Sequence, residues 1–143
     1  NKIVDSASNT STTNAEYFLV NTKPTTNQKT FGCGDVLVVR HETVPNTGGT
    51  IRQDLTALLS QKKESPELNV RNAVAQSSLS VASITAKSGI TTVALVGTVK
   101  LGGECDDPRF IEQIQKTADS AGGTPVTITI NGKPLTSIAN LKG

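Results

Sequence analysis

A chain of 143 residues is the size of one ordinary domain, and at this length folding hides roughly two-thirds of the surface, enough for an apolar core without a metal. Its 14 Lys and Arg against 12 Asp and Glu give a formal net charge of +2 with no block of five like charges, which argues against nucleic acid as the main partner. The longest apolar runs, such as Val36-Leu37-Val38-Val39, are far short of the ~20 residues of a membrane helix, and four aromatics, no Trp and one histidine leave few stacking platforms and little for a zinc site or a triad.

An Asn first residue with no apolar leader reads as a processed or a trimmed chain. Residues 1–14 are polar, with only Ile3 and Val4 to bury, and read as a flexible lead-in or tether before a domain over 15–143. Within the lead-in, Asn9-Thr10-Ser11 matches the glycosylation acceptor pattern by chance in a segment rich in Asn, Ser and Thr.

Glu16 to Val20 is a short aromatic and β-branched run that predicts a strand. A second strand follows over Val36 to Val44, polar at its far end and stopped by Pro45-Asn46-Thr47-Gly48-Gly49. Thr50-Ile51-Arg52-Gln53 has the form of a capping box and starts a helix whose Ile51, Leu55, Leu58 and Leu59 share one face. Val70 to Gln76 reads as one or two helical turns. The runs Leu79 to Ala86 and Ile90 to Val96 flank Lys87-Ser88-Gly89 as a hairpin.

Asp106-Asp107-Pro108 announces a second helix with an Asp cap, an apolar face of Phe110, Ile111, Ile114 and Ala118, and a Gly122-Gly123 stop. Val126 to Ile130 alternates cleanly before the tight-turn pair Asn131-Gly132. The order predicts an α+β fold, a single mixed or antiparallel sheet with two main helices packed on one face.

Cys33 and Cys105, each in a glycine-rich turn, can form a disulfide, stand as unrelated thiols or supply half a metal site; export favours the disulfide. Cys105 before a helix N-terminus is a candidate thiol nucleophile only if His41 reaches it from another strand. Glu104, Asp106 and Asp107 form an acidic cluster that lacks a calcium-loop pattern, so helix capping accounts for it. His41 between Arg40 and Glu42 reads as a solvated strand side chain, and no phosphate-loop pattern surrounds Gly32, Gly34, Gly48 or Gly49. These residues predict a non-enzymatic domain without catalytic residues, metal or cofactor. The first strand, or the last through Val126, Ile128 and Ile130, is the expected edge for strand addition.

From Tyr17 onward the chain resembles the GerMN domain of bacterial sporulation and germination proteins, also found in envelope lipoproteins. The resemblance rests on Tyr17-Phe18-Leu19, Leu37-Val38-Val39-Arg40 with Thr43-Val44-Pro45, Leu55-Thr56-Ala57-Leu58-Leu59, Leu79 to Ile84, Thr92 to Leu95, Gly102-Gly103-Glu104-Cys105, Ile111 to Thr117 and Val126 to Gly132. It departs in having Lys63-Glu64-Ser65-Pro66 where a Gly-Pro usually follows the first helix. The resemblance implies an α+β fold similar to ring-building motifs, a membrane anchor upstream, and placement outside the cytoplasmic membrane in the cell envelope. It also implies partners that are envelope proteins or a second copy. Peptidoglycan or another glycan, bound through the abundant Ser, Thr and Asn side chains, is the alternative partner.

Overall fold

The structure, a computed structural model, describes residues 11–137 apart from 26 and 47. The expected lead-in thus lies mostly outside the described residues. The fold is α+β. In chain order the elements are β1 (Thr12–Asn21), β2 (Val36–Pro45), α1 (Thr50–Leu59), β3 (Val70–Arg71), β4 (Ser78–Lys87), β5 (Ile90–Thr98), α2 (Asp106–Gly122), β6 (Thr127–Ile130) and β7 (Lys133–Pro134).

Two sheets form where the sequence predicts one: a three-stranded sheet in the order β2-β1-β3 and a four-stranded sheet in the order β4-β5-β6-β7. They stay separate because the open side of β1 is met by helices, as described below, and not by another strand. β1 and β2 pair antiparallel without a slip from Thr12 opposite Pro45 to Asn21 opposite Val36. The strand therefore begins at Thr12, ahead of the apolar run that announces it. Ala15, Tyr17 and Leu19 all point into the core, as a period of two requires.

The β4–β5 hairpin turns through Ser88 and Gly89, both with positive φ, the backbone of a primed two-residue turn. After β5 the chain crosses through α2 and returns as β6, parallel to β5, with Val93 opposite Ile128 and Leu95 opposite Ile130. A parallel neighbour needs such a crossover. Asn131 and Gly132, again with positive φ, then fold β7 back on β6.

α1 buries Leu55, Leu58 and Leu59, and α2 buries Phe110, Ile114 and Ala118; these side chains share one core with Val93, Leu95, Ile128 and Ile130. Neither predicted cap forms. Gly49 is the N-cap of α1, which places Thr50 one position inside the helix and leaves Gln53 free to reach β1. Cys105 is the N-cap of α2, so Asp106 sits in the first turn, where the helix dipole favours its charge.

Val70 to Gln76 is not helical. Val70 and Arg71 extend the first sheet as β3, and the following turns are held by Asn72, whose carbonyl oxygen accepts the Val74 N–H at 3.1 Å and whose amide donates to the Gln61 carbonyl at 3.0 Å. Short-range side-chain bonds of this kind compete with a helix.

Candidate interaction surface

Four buried polar side chains on the helices face the side of β1 away from β2. Asp54 Oδ1 accepts the Glu16 N–H at 3.1 Å, and Thr117 Oγ1 accepts the Phe18 N–H at 3.2 Å. Gln113 Nε2 donates to the Phe18 carbonyl at 3.1 Å, and Gln53 Nε2 donates to the Asn14 carbonyl at 3.4 Å. Helix side chains thereby stand in for the strand that would otherwise bond here, and each pays its own desolvation with a bond to the backbone. β1 is the middle strand of its sheet and offers no edge for addition, contrary to the sequence reading.

The other expected edge is also corrected. β6 lies between β5 and β7, and Val126, Ile128 and Ile130 are buried at 4%, 3% and 0% exposure. A strand with neighbours on both sides has no backbone groups to lend. β7 is only two residues long and contains Pro134, a blunted edge. The start of β4 lies against α1 and the loop after it, where Arg52 donates to the Val81 carbonyl at 3.3 Å and Lys62 Nζ donates to the Ser77 carbonyl at 2.9 Å.

β2 is different. It pairs only with β1 and ends its sheet. Because Glu16 and Phe18 turn their N–H groups to the helices, the odd-numbered residues of β1 bond to β2, and their opposites there are Glu42, Arg40 and Val38. Leu37, Val39, His41 and Thr43 therefore direct their backbone groups outward. The Val39 carbonyl is met by Arg40 Nη1 at 2.9 Å, the guanidinium bending back along its own strand. The charged triplet Arg40-His41-Glu42 and the closing Pro45 are a sequence signal of an edge strand, one that the reading of β2 as a buried strand passed over.

In the turn that leads into β2, Cys33 forms a disulfide with Cys105, with a Cα–Cα distance of 5.7 Å. Cys105 is thus not a thiol, and His41 is engaged elsewhere, its Nε2 3.2 Å from Glu16 Oε2. The loop around Cys33 is fitted closely to α2: a Cβ added at Gly32, whose φ is +54°, would come within 2.7 Å of Pro108. Beside the disulfide, Arg109 donates to both carboxylate oxygens of buried Asp35 and to Asp106, and Arg71 donates to Asp106 and Glu64.

Burial alone would raise the Asp106 carboxyl, but the Arg71 guanidinium, then Arg109 and the Gly102 N–H, outweigh it and hold its pKa below the usual carboxylate value. Within the acidic cluster, Asp106 is accordingly an anchor for two arginines, more than a helix cap. An open notch of about 200 Å³ lies over Arg71, Asp106 and Arg109, whose guanidinium groups are already turned onto carboxylates.

Among the described residues no helix is long and apolar enough to cross a membrane. The family model described as Germane, sporulation and spore germination, matches residues 16–136. The chain belongs to the Germane family. No curated protein and no solved structure matches it. The matched span of the Germane domain starts inside β1 and ends just after β7, so it takes in both helices, both sheets and the disulfide.

Proposed function

We propose that this Germane domain is a non-enzymatic, extracytoplasmic part of a bacterial cell envelope, held to the membrane from upstream and acting through protein–protein contact at β2. The observation that carries the reading is the long β2 edge, paired on one side only, while β1 and β6 have partners on both sides and the start of β4, the end strand of the other sheet, lies against α1. Unpaired edges recruit extended partners through backbone bonds, so a ten-residue strand with one side open has a surface to offer. The Cys33–Cys105 disulfide supports an oxidising compartment, since such bonds persist outside the cytoplasm. Membership of a sporulation and germination family supports an envelope setting.

A glycan-binding reading draws on the outer face of the four-stranded sheet. Ser78, Ser80, Thr85, Thr92, Thr98 and Thr127 share that face, opposite the side buried by Val93 and Leu95, and present hydroxyls there beside Lys87. Chemical crosslinking of the tagged protein in its native envelope, followed by mass spectrometry, separates the two. Capture of a specific protein, or of the chain itself, is the expected result. Capture of wall glycan alone, released by soluble wall fragments, would overturn it.

A further inference from the structure

We propose that β2 pairs edge to edge and antiparallel with the β2 of a second copy of this chain, in a register centred on His41. This rests on the reading that the domain works by contact through that edge, and it names the partner.

The argument starts from the strand itself. Residues 38–44 read Val-Val-Arg-His-Glu-Thr-Val, a sequence that complements itself when reversed about His41. A twofold axis at His41 sets Arg40 opposite the partner's Glu42, Val39 opposite the partner's Thr43, and Val38 opposite the partner's Val44, each pair occurring twice. Opposite charges and β-branched pairs directly across a ladder are the favourable combinations.

The backbone phase agrees independently. Val39, His41 and Thr43 are the residues whose N–H and carbonyl groups face outward, and this register sets outward-facing residues against outward-facing residues throughout. Shifting by one residue would set outward groups against inward ones. Shifting by two in either direction keeps the phase but places Arg40 against Arg40 or Glu42 against Glu42, which is unfavourable. Only the His41-centred register satisfies both conditions. Pro45, with no N–H to give, ends the ladder where the complementarity ends.

Pairing asks little of the monomer. Arg40 holds Glu67 through two bonds, at 2.7 and 2.8 Å, and turning to the partner's Glu42 exchanges one carboxylate for another. The Val39 carbonyl exchanges the Arg40 guanidinium for the partner's Thr43 N–H. Glu42 accepts from Gln61 at 2.8 Å and keeps a second oxygen for the partner's Arg40. Each His41 retains Glu16 as its neighbour.

The test is sedimentation equilibrium of the whole chain at concentrations up to roughly 1 mM, because a strand-edge interface falls in the small, weak class. The expected result is a monomer–dimer equilibrium that weakens roughly tenfold or more in Arg40→Glu and in Glu42→Arg, and that returns in the double variant. The two single variants, each monomeric alone, are expected to pair when mixed. Loss of the internal Arg40–Glu67 pair cannot produce that rescue. Register is read from His41→Cys, which is expected to link two copies under mild oxidation, since Cα atoms of a bonded pair lie about 5.5 Å apart; linkage through Leu37→Cys instead would overturn the register.

A wild-type chain that stays monomeric, or a double variant as weak as the singles, overturns the pairing. If that monomeric chain still captures another envelope protein through β2, the protein-contact reading survives. Capture of glycan alone overturns both.

Discussion

Asp54 on α1 accepts the backbone N–H of Glu16 at 3.1 Å, in the position where a further strand would bond to β1. Together with Thr117 and Gln113 on α2 it closes one side of the sheet with side chains, which leaves β2 as the open edge.

Substitution of Asp54 tests that substitution of strand by side chain. Burial raises the Asp54 carboxyl above its ordinary value, although the Glu16 N–H and the Gln53 amide pull the other way. A raised native pKa means that stability is fully present below about pH 4 and is lost as pH rises through the native value. Asp54→Asn keeps an acceptor without the charge, so stability at pH 7 is expected to hold or rise and the pH dependence above 4 to flatten. Asp54→Leu strands the Glu16 N–H and is expected to cost about 1–3 kcal/mol in urea unfolding.

Gln113 is fully buried and ties three segments, accepting from the Ala73 N–H at 2.9 Å and donating to Phe18 and Asn72. Gln113→Leu fills similar space but leaves the Ala73 N–H and the Phe18 carbonyl without their partner. A loss of about 2–4 kcal/mol is expected, with faster amide exchange at Ala73.

The disulfide closes a span of 72 positions, for which the chain-entropy model gives about 4 kcal/mol. Cys33→Ser with Cys105→Ser is expected to lower the unfolding free energy by roughly that amount. Amide exchange should rise first around Asp35 and Gly102, whose loops the bond joins, while the β1–β2 ladder keeps its relative protection.

Asp106 carries a lowered pKa, so its stabilisation is present above the unfolded value near 4 and is lost as pH falls below it. Asp106→Asn is expected to destabilise by about 2–4 kcal/mol at pH 7, because Arg71 and Arg109 lose a shared partner. The gap from wild type should narrow below about pH 4. A gap that stays constant from pH 7 to 3 would contradict the assignment.

The strands and helices were largely legible from local pattern. The aromatic and β-branched run of β1, the alternation in β6, the leucine spacing of α1 and the turn pairs Ser88-Gly89 and Asn131-Gly132 depend only on near neighbours in the chain. The edges were not legible in the same way. Whether β1 is open depends on Asp54 and Thr117, which lie 38 and 99 positions from the N–H groups they accept. The capping-box pattern likewise failed because the helix starts one residue early, at Gly49, and Gln53 donates instead to the Asn14 carbonyl of β1. Asp106 read as a cap since its partner Arg71, 35 positions away, gives no local sign. The β2 edge did carry a signal in Arg40-His41-Glu42 and Pro45, but an apolar start at Val36 to Val39 resembles a buried strand.

The most direct test of the open edge is site-specific photo-crosslinking in the native envelope, with the photoreactive residue placed either at Thr43 on β2 or at Thr129 on β6. Both positions lie on strands, but only Thr43 has an unpaired side beside it. A protein adduct at Thr43, with none at Thr129, is the result this account predicts. Adducts at Thr129 with none at Thr43 would contradict it.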